Sequence, residues 1–214
     1  MPRRELERRS YNFEVRAEET ERGHILTGRP VVYGSKTDIG GWFAEIIEPG
    51  ALAKTDLTDV RLLVNHDTSK IPIARSRRNN GNSTMQLSVD DQGLSMDRAD
   101  LDVENNASAA ALYSAVSRGD ITGMSMMFSV TDEEWEGLDT DYPTRHIRGI
   151  GSIVEISAVT FPAYEATDIQ ARGKWELESA RAALENARQK RSAGVETSEE
   201  AQLELEKAKL LLRR

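Results

Sequence analysis

The chain has 214 residues, 38% hydrophobic and 30% charged, with a formal charge of −8 and no cysteine. That length holds one sizeable domain plus an appendage, and the lack of cysteine excludes a disulfide framework and a thiolate zinc site. The acidic balance argues against a phosphate-binding surface, so no nucleic-acid partner is expected.

The charge is uneven: residues 174–214 hold nine Lys/Arg against eight Asp/Glu, near +1, which leaves −9 on residues 1–173. The opening MPRRELERRS is basic, but no apolar stretch follows it. Neither a secretory signal nor a membrane span of ~20 apolar residues is therefore expected. The three histidines, His24, His66 and His146, are spaced too widely to suggest a cluster, so neither a metal nor a cofactor is expected.

Along the chain, YNFEVRAE alternates Tyr11, Phe13 and Val15 with polar residues, the two-residue period of a half-buried strand. HILTGRPVVYG predicts a second strand interrupted by Gly28 and Pro30, and YGSKTDIGGW predicts a glycine-rich surface loop. VRLLVNHD reads as a buried strand ending at Asn65-His66-Asp67. IPIARS, STMQLSVD and GLSMDRADL continue the β pattern, the last two flanking a turn at Asp90-Asp91-Gln92-Gly93. ENNASAAALYSAVSRGD repeats Ala and Leu at helical spacing and stops near Gly119. The strand ITGMSMMFSV, an acidic loop TDEEWEGLDTDYP, and a strand or strand pair in RHIRGIGSIVEISAVTF follow. Many short strands with one internal helix predict an α+β protein, mainly a β-barrel or strongly curved sheet with helices packed outside.

After PAYEATDIQARG the composition changes. KWELESARAALENARQKR predicts a helix ended by Gly194, and Thr197 to Glu200 form a capping box for a second helix in EEAQLELEKAKLLLRR. The reading divides the chain into a domain of residues 1–173 and a helical appendage of residues 174–214, joined by a linker at 167–173. Leu203, Leu205, Leu210, Leu211 and Leu212 give the appendage an apolar patch, suited to docking on partner helices or to packing on its own domain.

Three strands carry polar groups in apolar surroundings. His66 closes RLLVNH, Ser125 lies inside ITGMSMMFSV, and Glu155 lies inside GSIVEISAVTF. The G-x-S-x-G elbow of the α/β-hydrolases is broken at Met127, and an isolated strand serine is an ordinary feature. Glu155 is flanked by Ile153, Val154 and Ile156; turned inward it requires a donor, for which His66 is a candidate. Strand alternation also leaves open that Glu155 and Ser157, which share a face, look out to water. A serine, a histidine and a carboxylate on neighbouring strands have the parts for nucleophilic acyl transfer.

The segments GRPVVYGSKTD, WFAEIIEPGAL, LLVNHD, GLSMDRADL, VSRGDITGMSMMFSV and VEISAVTFPAY, in that order, resemble the HK97-type prohead proteases of tailed bacteriophages. The resemblance runs from about Val31 to Tyr164. It implies a serine endopeptidase related to the herpesvirus assemblin fold, a β-barrel surrounded by helices. By position, it makes Ser125 the nucleophile, His66 the base and Glu155 the acid that orients the histidine. It further implies an enzyme of the bacterial host cytoplasm, enclosed in the immature capsid. There it would cleave the scaffolding segment of the major capsid protein and itself. The change of composition ahead of the helical tail separately places the expected self-cleavage near 165–173. Homo-oligomerisation is left open. Met127 stands where relatives often have glycine, and Ala74-Arg75 where they often have Gly-Arg, departures that bear on subsite shape rather than chemistry. The competing reading is a non-catalytic assembly or scaffold protein that binds capsid subunits through its helical tail.

Overall fold

The computed structural model describes residues 6–11, 15–21, 23–160 and 178–193. Its strands are β1 (Glu7–Tyr11), β2 (Val15–Thr20), β3 (Gly23–Val32), β4 (Thr37–Ile39), β5 (Phe43–Ile47) and β6 (Asp59–Val64). They continue with β7 (Ala74–Arg77), β8 (Met85–Asp90), β9 (Gly93–Leu101), β10 (Gly123–Glu136) and β11 (Thr144–Val159). The helices are α1 (Ala107–Ser117) and α2, over 178–193.

These strands form two sheets over one shared core. The four-stranded sheet runs β2-β3-β9-β8, and the seven-stranded sheet runs β1-β10-β11-β5-β4 with β6 and β7 attached beside β11. Leu26, Leu62, Met96, Met124, Met126, Phe128 and Ile156 are among the buried side chains between them, each contributing about 1.5–3 kcal/mol of transfer free energy. The α+β class is as expected. The closed barrel is not: among the described residues no series of pairings returns to its starting strand. Among the described residues two helices, rather than a surrounding shell, accompany the sheets. No helix among the described residues is long and apolar enough to cross a membrane.

The pair β10–β11 is the spine of the larger sheet. The two strands run antiparallel from Gly123↔Val159 to Glu136↔Thr144, with register shifts after Met127, Ser129, Val130 and Asp132. Each shift inserts a bulge that bends and twists the ladder, which allows strands of 14 and 16 residues to follow a curved core. The segment read as an acidic loop is therefore strand up to Glu136: Asp132, Glu134 and Glu136 face water on the exposed half of β10, where the core ends, while Glu133 turns to Arg145. The other edge of β11 is divided. Thr144–Ile147 pair in parallel with β5, and Glu155–Ala158 pair in parallel with β6.

Two further expectations shift. Tyr11 and Val15, read as one strand, belong to β1 and β2 in different sheets, and Phe13 lies outside the described residues. The glycine-rich loop contains the short strand β4, held by pairing to β5. Elsewhere local chemistry prevails. Asn106 caps α1, its side chain accepting from Ser108 and Ala109 N–H. At the other end Asp120 N–H donates to Ala115 O and left-handed Gly119 N–H to Val116 O, a Schellman closure. Ala109, Leu112 and Val116 form the buried stripe of this helix. In the β8–β9 turn the Asp90 carboxylate accepts from Gln92 and Gly93 N–H at 2.9 and 3.0 Å.

Helix α2 seats Ala180 and Leu184 on Ile39 and Phe43, beside Trp42, Trp135 and Leu138. Arg188 donates to Thr140 O at 3.1 Å, and Arg191 pairs with Asp139 at 2.9 Å. The expected linker at 167–173, the second tail helix and its leucines lie outside the described residues.

A buried ionic cluster joins β1 to the larger sheet. Arg9 donates from Nε to Glu45 at 2.9 Å and from Nη2 to Glu7 at 2.6 Å. Arg145 on β11 donates to both Glu7 oxygens at 2.7 and 2.8 Å, to Glu45 at 3.0 Å and to Glu133 at 2.7 Å. Two guanidinium groups thus serve three carboxylates, with bidentate geometry that offsets desolvation. Burial pushes the Glu7 carboxyl up, but Arg9 and Arg145 outweigh it and hold it at about 2, against an ordinary 4.5.

Two outcomes follow from this packing. Gly93 has φ +140°, and a Cβ there would sit 2.2 Å from Val31 O; Gly93→Ala is expected to cost about 2 kcal/mol or more, read from the denaturant midpoint. For Glu7 the folded value lies below the unfolded one. Its stabilisation is complete above pH 4.5 and lost as pH falls through about 2. The shift corresponds to roughly 3 kcal/mol. Urea unfolding of the wild type between those pH values should steepen in its pH dependence relative to Glu7→Gln; equal slopes would contradict the cluster's role.

Candidate active site

Register brings three distant segments together. Ser125 on β10 lies opposite Ser157 on β11, and Glu155 is two residues back on the same face of β11. Strand β6 runs parallel to β11 with Ser157 beside Leu63 and Ala158 beside Val64, so the end of β6 arrives next to the Ser125–Ser157 pair. There the chain turns sharply: Asn65 and His66 both adopt left-handed backbone, at φ 51° and 57°. Asn and His are among the few side-chain-bearing residues that populate this region readily. The turn is pinned on every side. Asn65 N–H donates to Ala158 O at 3.0 Å, the Asn65 amide bonds the Thr160 hydroxyl at 2.9 Å, and its oxygen accepts from Thr160 N–H at 2.9 Å. Asp67 then accepts from Ser69 N–H at 3.0 Å to start the following turn.

The pinned turn aims the imidazole inward. His66 Nε2 is 2.5 Å from Ser125 Oγ, and His66 Nδ1 hydrogen-bonds Glu155 Oε1. The second Glu155 oxygen accepts from Ser157 Oγ at 2.7 Å. Glu155 is 3% exposed and Ser125 fully buried at 0%. The expectation that left Glu155 facing water is thereby decided in favour of the interior, with His66 as its donor. An ionised carboxylate only accepts, so Nδ1 carries the imidazole proton and Nε2 is left as an acceptor for the serine hydroxyl. The arrangement can move a proton from Ser125 to His66 while Glu155 stabilises the resulting imidazolium.

Ser157, read from the sequence as the same-face neighbour of Glu155, has two partners at this site. Its hydroxyl donates to Glu155 and accepts from the backbone N–H of His66 at 3.1 Å. One side chain therefore orients the carboxylate and secures the left-handed turn. Its spacing two residues beyond Glu155 was the available signal. The other histidines have separate partners: His24 meets Tyr113 edge to face at 4.6 Å, and His146 Nδ1 bonds Glu48 at 2.6 Å. Arg75, in the Ala74-Arg75 departure, makes a two-pronged ion pair with Asp59 at 2.6 and 2.8 Å. Met127 is buried opposite Glu155.

Beside the His66 turn lies a cleft of about 900 Å³, lined by Leu63, Asn65, Ile71, Ile73, Leu112 and Ile121 among others. Ile71 at its rim is 85% exposed.

Comparison with known proteins identifies the family. The family model for the caudovirus prohead serine protease matches residues 11–180. The prohead protease of Enterobacteria phage HK97 is 32% identical over 151 residues, 69% of this chain and 59% of that protein. The match thus spans less than two thirds of the relative's length. No solved structure matches the chain significantly. With its model covering most of the chain, including His66, Ser125 and Glu155, the chain belongs to the caudovirus prohead serine protease family.

Proposed function

We propose that this protein is a serine endopeptidase of capsid maturation, with Ser125 as nucleophile, His66 as general base and acid, and Glu155 as the group that orients and stabilises the imidazole. The observation that carries the reading is the unbroken series from Ser125 Oγ through His66 to Glu155, inside a chain whose family is named for that activity. Ser125 Oγ attacks the scissile carbonyl carbon, and its proton passes to His66 Nε2. The tetrahedral intermediate collapses as His66 returns the proton to the leaving amine. Water, deprotonated by the same imidazole, then releases the acyl group.

The substrates proposed are the scaffolding segment of the major capsid protein and the enzyme itself, within the prohead assembled in the host cytoplasm. The apolar cleft beside His66 supports an extended peptide partner on that side of the site. A relation to the herpesvirus assemblin barrel is part of the same proposal, supported by two curved sheets sharing one core. So is the division at residue 173. The seating of 178–193 on β4 and β5 favours a tail whose first helix is an intramolecular brace, leaving docking on capsid subunits to the residues beyond it. The assembly-only alternative is less well supported, because it leaves the three converging polar groups without a role.

In assays of capsid-precursor cleavage, Ser125→Ala and His66→Ala are each expected to lose at least about 10⁴-fold in kcat while remaining folded. Wild-type turnover by purified Ser125→Ala would refute the assignment. Glu155→Gln should lose about 10³–10⁴-fold by analogy with amide replacement in the serine-protease triad. Ser157→Ala, which removes the bonds to Glu155 and from His66 N–H but leaves the His66–Glu155 contact, should lose only about ten- to thirtyfold. The reverse ranking of these two would make Ser157 the third member.

A further inference from the structure

The buried nucleophile poses a problem that β1 explains. A peptide from solution cannot reach a serine with no exposed surface. Besides His66 Nε2, Ser125 Oγ meets a second group from outside β10 and β11, the main-chain carbonyl of Arg9, to which it donates at 2.9 Å. Strand β1 is the terminal strand of its sheet and pairs antiparallel with Glu7↔Phe128, Arg9↔Met126 and Ser10↔Ser125. It covers the edge of β10 that carries the nucleophile.

Resting on the serine-protease reading above, we infer that this edge of β10 is the site where an extended peptide adds as an antiparallel strand, and that residues 7–11 occupy it in the resting protein as an internal competitor. Strand addition to a free sheet edge is a general way of binding peptides, with main-chain hydrogen bonds giving affinity and side-chain pockets giving register. Here the register is set by Arg9, whose guanidinium is held by Glu45 and Glu7.

Occupancy also withholds the chemistry. The Ser125 hydroxyl has one proton and two acceptors, His66 Nε2 and the Arg9 carbonyl oxygen. With β1 in place the carbonyl competes with the base for that proton, and Oγ faces a carbonyl oxygen rather than an electrophilic carbon. Displacing β1 frees the hydroxyl for His66 and opens the edge to a peptide in the same step.

The test uses the full chain with Ser125→Ala, so that binding is read without cleavage and its failure is separable from failure of the proteolytic reading. The probe is a fluorescein-labelled peptide of residues 5–13, followed by anisotropy. Adding Arg9→Glu, which sets a carboxylate against Glu7 and Glu45, should expel β1 and tighten probe binding at least tenfold; Arg9→Lys should leave it weak. Unchanged affinity in an Arg9→Glu chain with native circular dichroism overturns the inference. Should Arg9→Glu fail to fold, the cross-strand partners Arg8 and Met127 offer a second route, because the chain has no other cysteine to interfere. Arg8→Cys with Met127→Cys should bind the probe weakly when reduced, by exchange with β1, and lose that residual binding when the disulfide pins β1 in place. Equal binding in both redox states overturns the inference as well.

Discussion

The Glu155 carboxylate lies within the larger sheet with almost no contact with water, and its two oxygens are taken up by His66 Nδ1 and Ser157 Oγ. A buried carboxylate without donors costs several kcal/mol. Folding is therefore coupled to delivery of the His66 ring. The left-handed turn at Asn65 and His66 is the backbone solution to that requirement, and Ser157 serves both ends of it by bonding the carboxylate and the His66 N–H. The geometry that suits proton transfer is the same geometry that makes the buried charge tolerable.

Behind these contacts stands the divided edge of β11. Its first half is flanked by β5 and its second by β6, so a single strand links the ionic cluster at Arg145 with the catalytic candidates at Glu155 and Ser157. Side chains on a strand alternate by face, and a slip of one residue would turn Glu155 and Ser157 away from His66. The bulges in β10–β11 bend the pair without disturbing the Ser125↔Ser157 register. Strand β1 extends the sheet on the far edge of β10, tied by charge at Arg9 and by its main chain to Ser125.

Much of this was legible in the chain before any coordinates. The helix over Ala107–Ser117 announced itself through its Ala and Leu spacing and its stop near Gly119, and the turn at Asp90 to Gly93 through its residue types. His66, Ser125 and Glu155 stood out because polar groups interrupt apolar runs, and the resemblance to a protease family gave them roles. What was not legible depends on distant partners. The acidic run up to Glu136 looked like a loop because its strand has one face in water, and Tyr11 and Val15 fit one alternating pattern although they serve different sheets. Closure of a barrel is likewise a matter of which strands meet, and local periodicity carries no such information. The covering of Ser125 by Arg9 joins positions 116 residues apart, beyond any local signal.

Everything at the site turns on the orientation of the His66 ring, with the proton on Nδ1 meeting Glu155 and Nε2 turned to Ser125. Nitrogen-15 and low-field proton NMR of the histidine-labelled full chain near neutral pH tests it directly, since the ring nitrogen shifts distinguish the two tautomers. The account predicts an Nδ1–H resonance at low field that disappears in His66→Ala and moves markedly in Glu155→Gln. A His66 ring protonated on Nε2 instead, or an Nδ1 signal indifferent to Glu155→Gln, would contradict it.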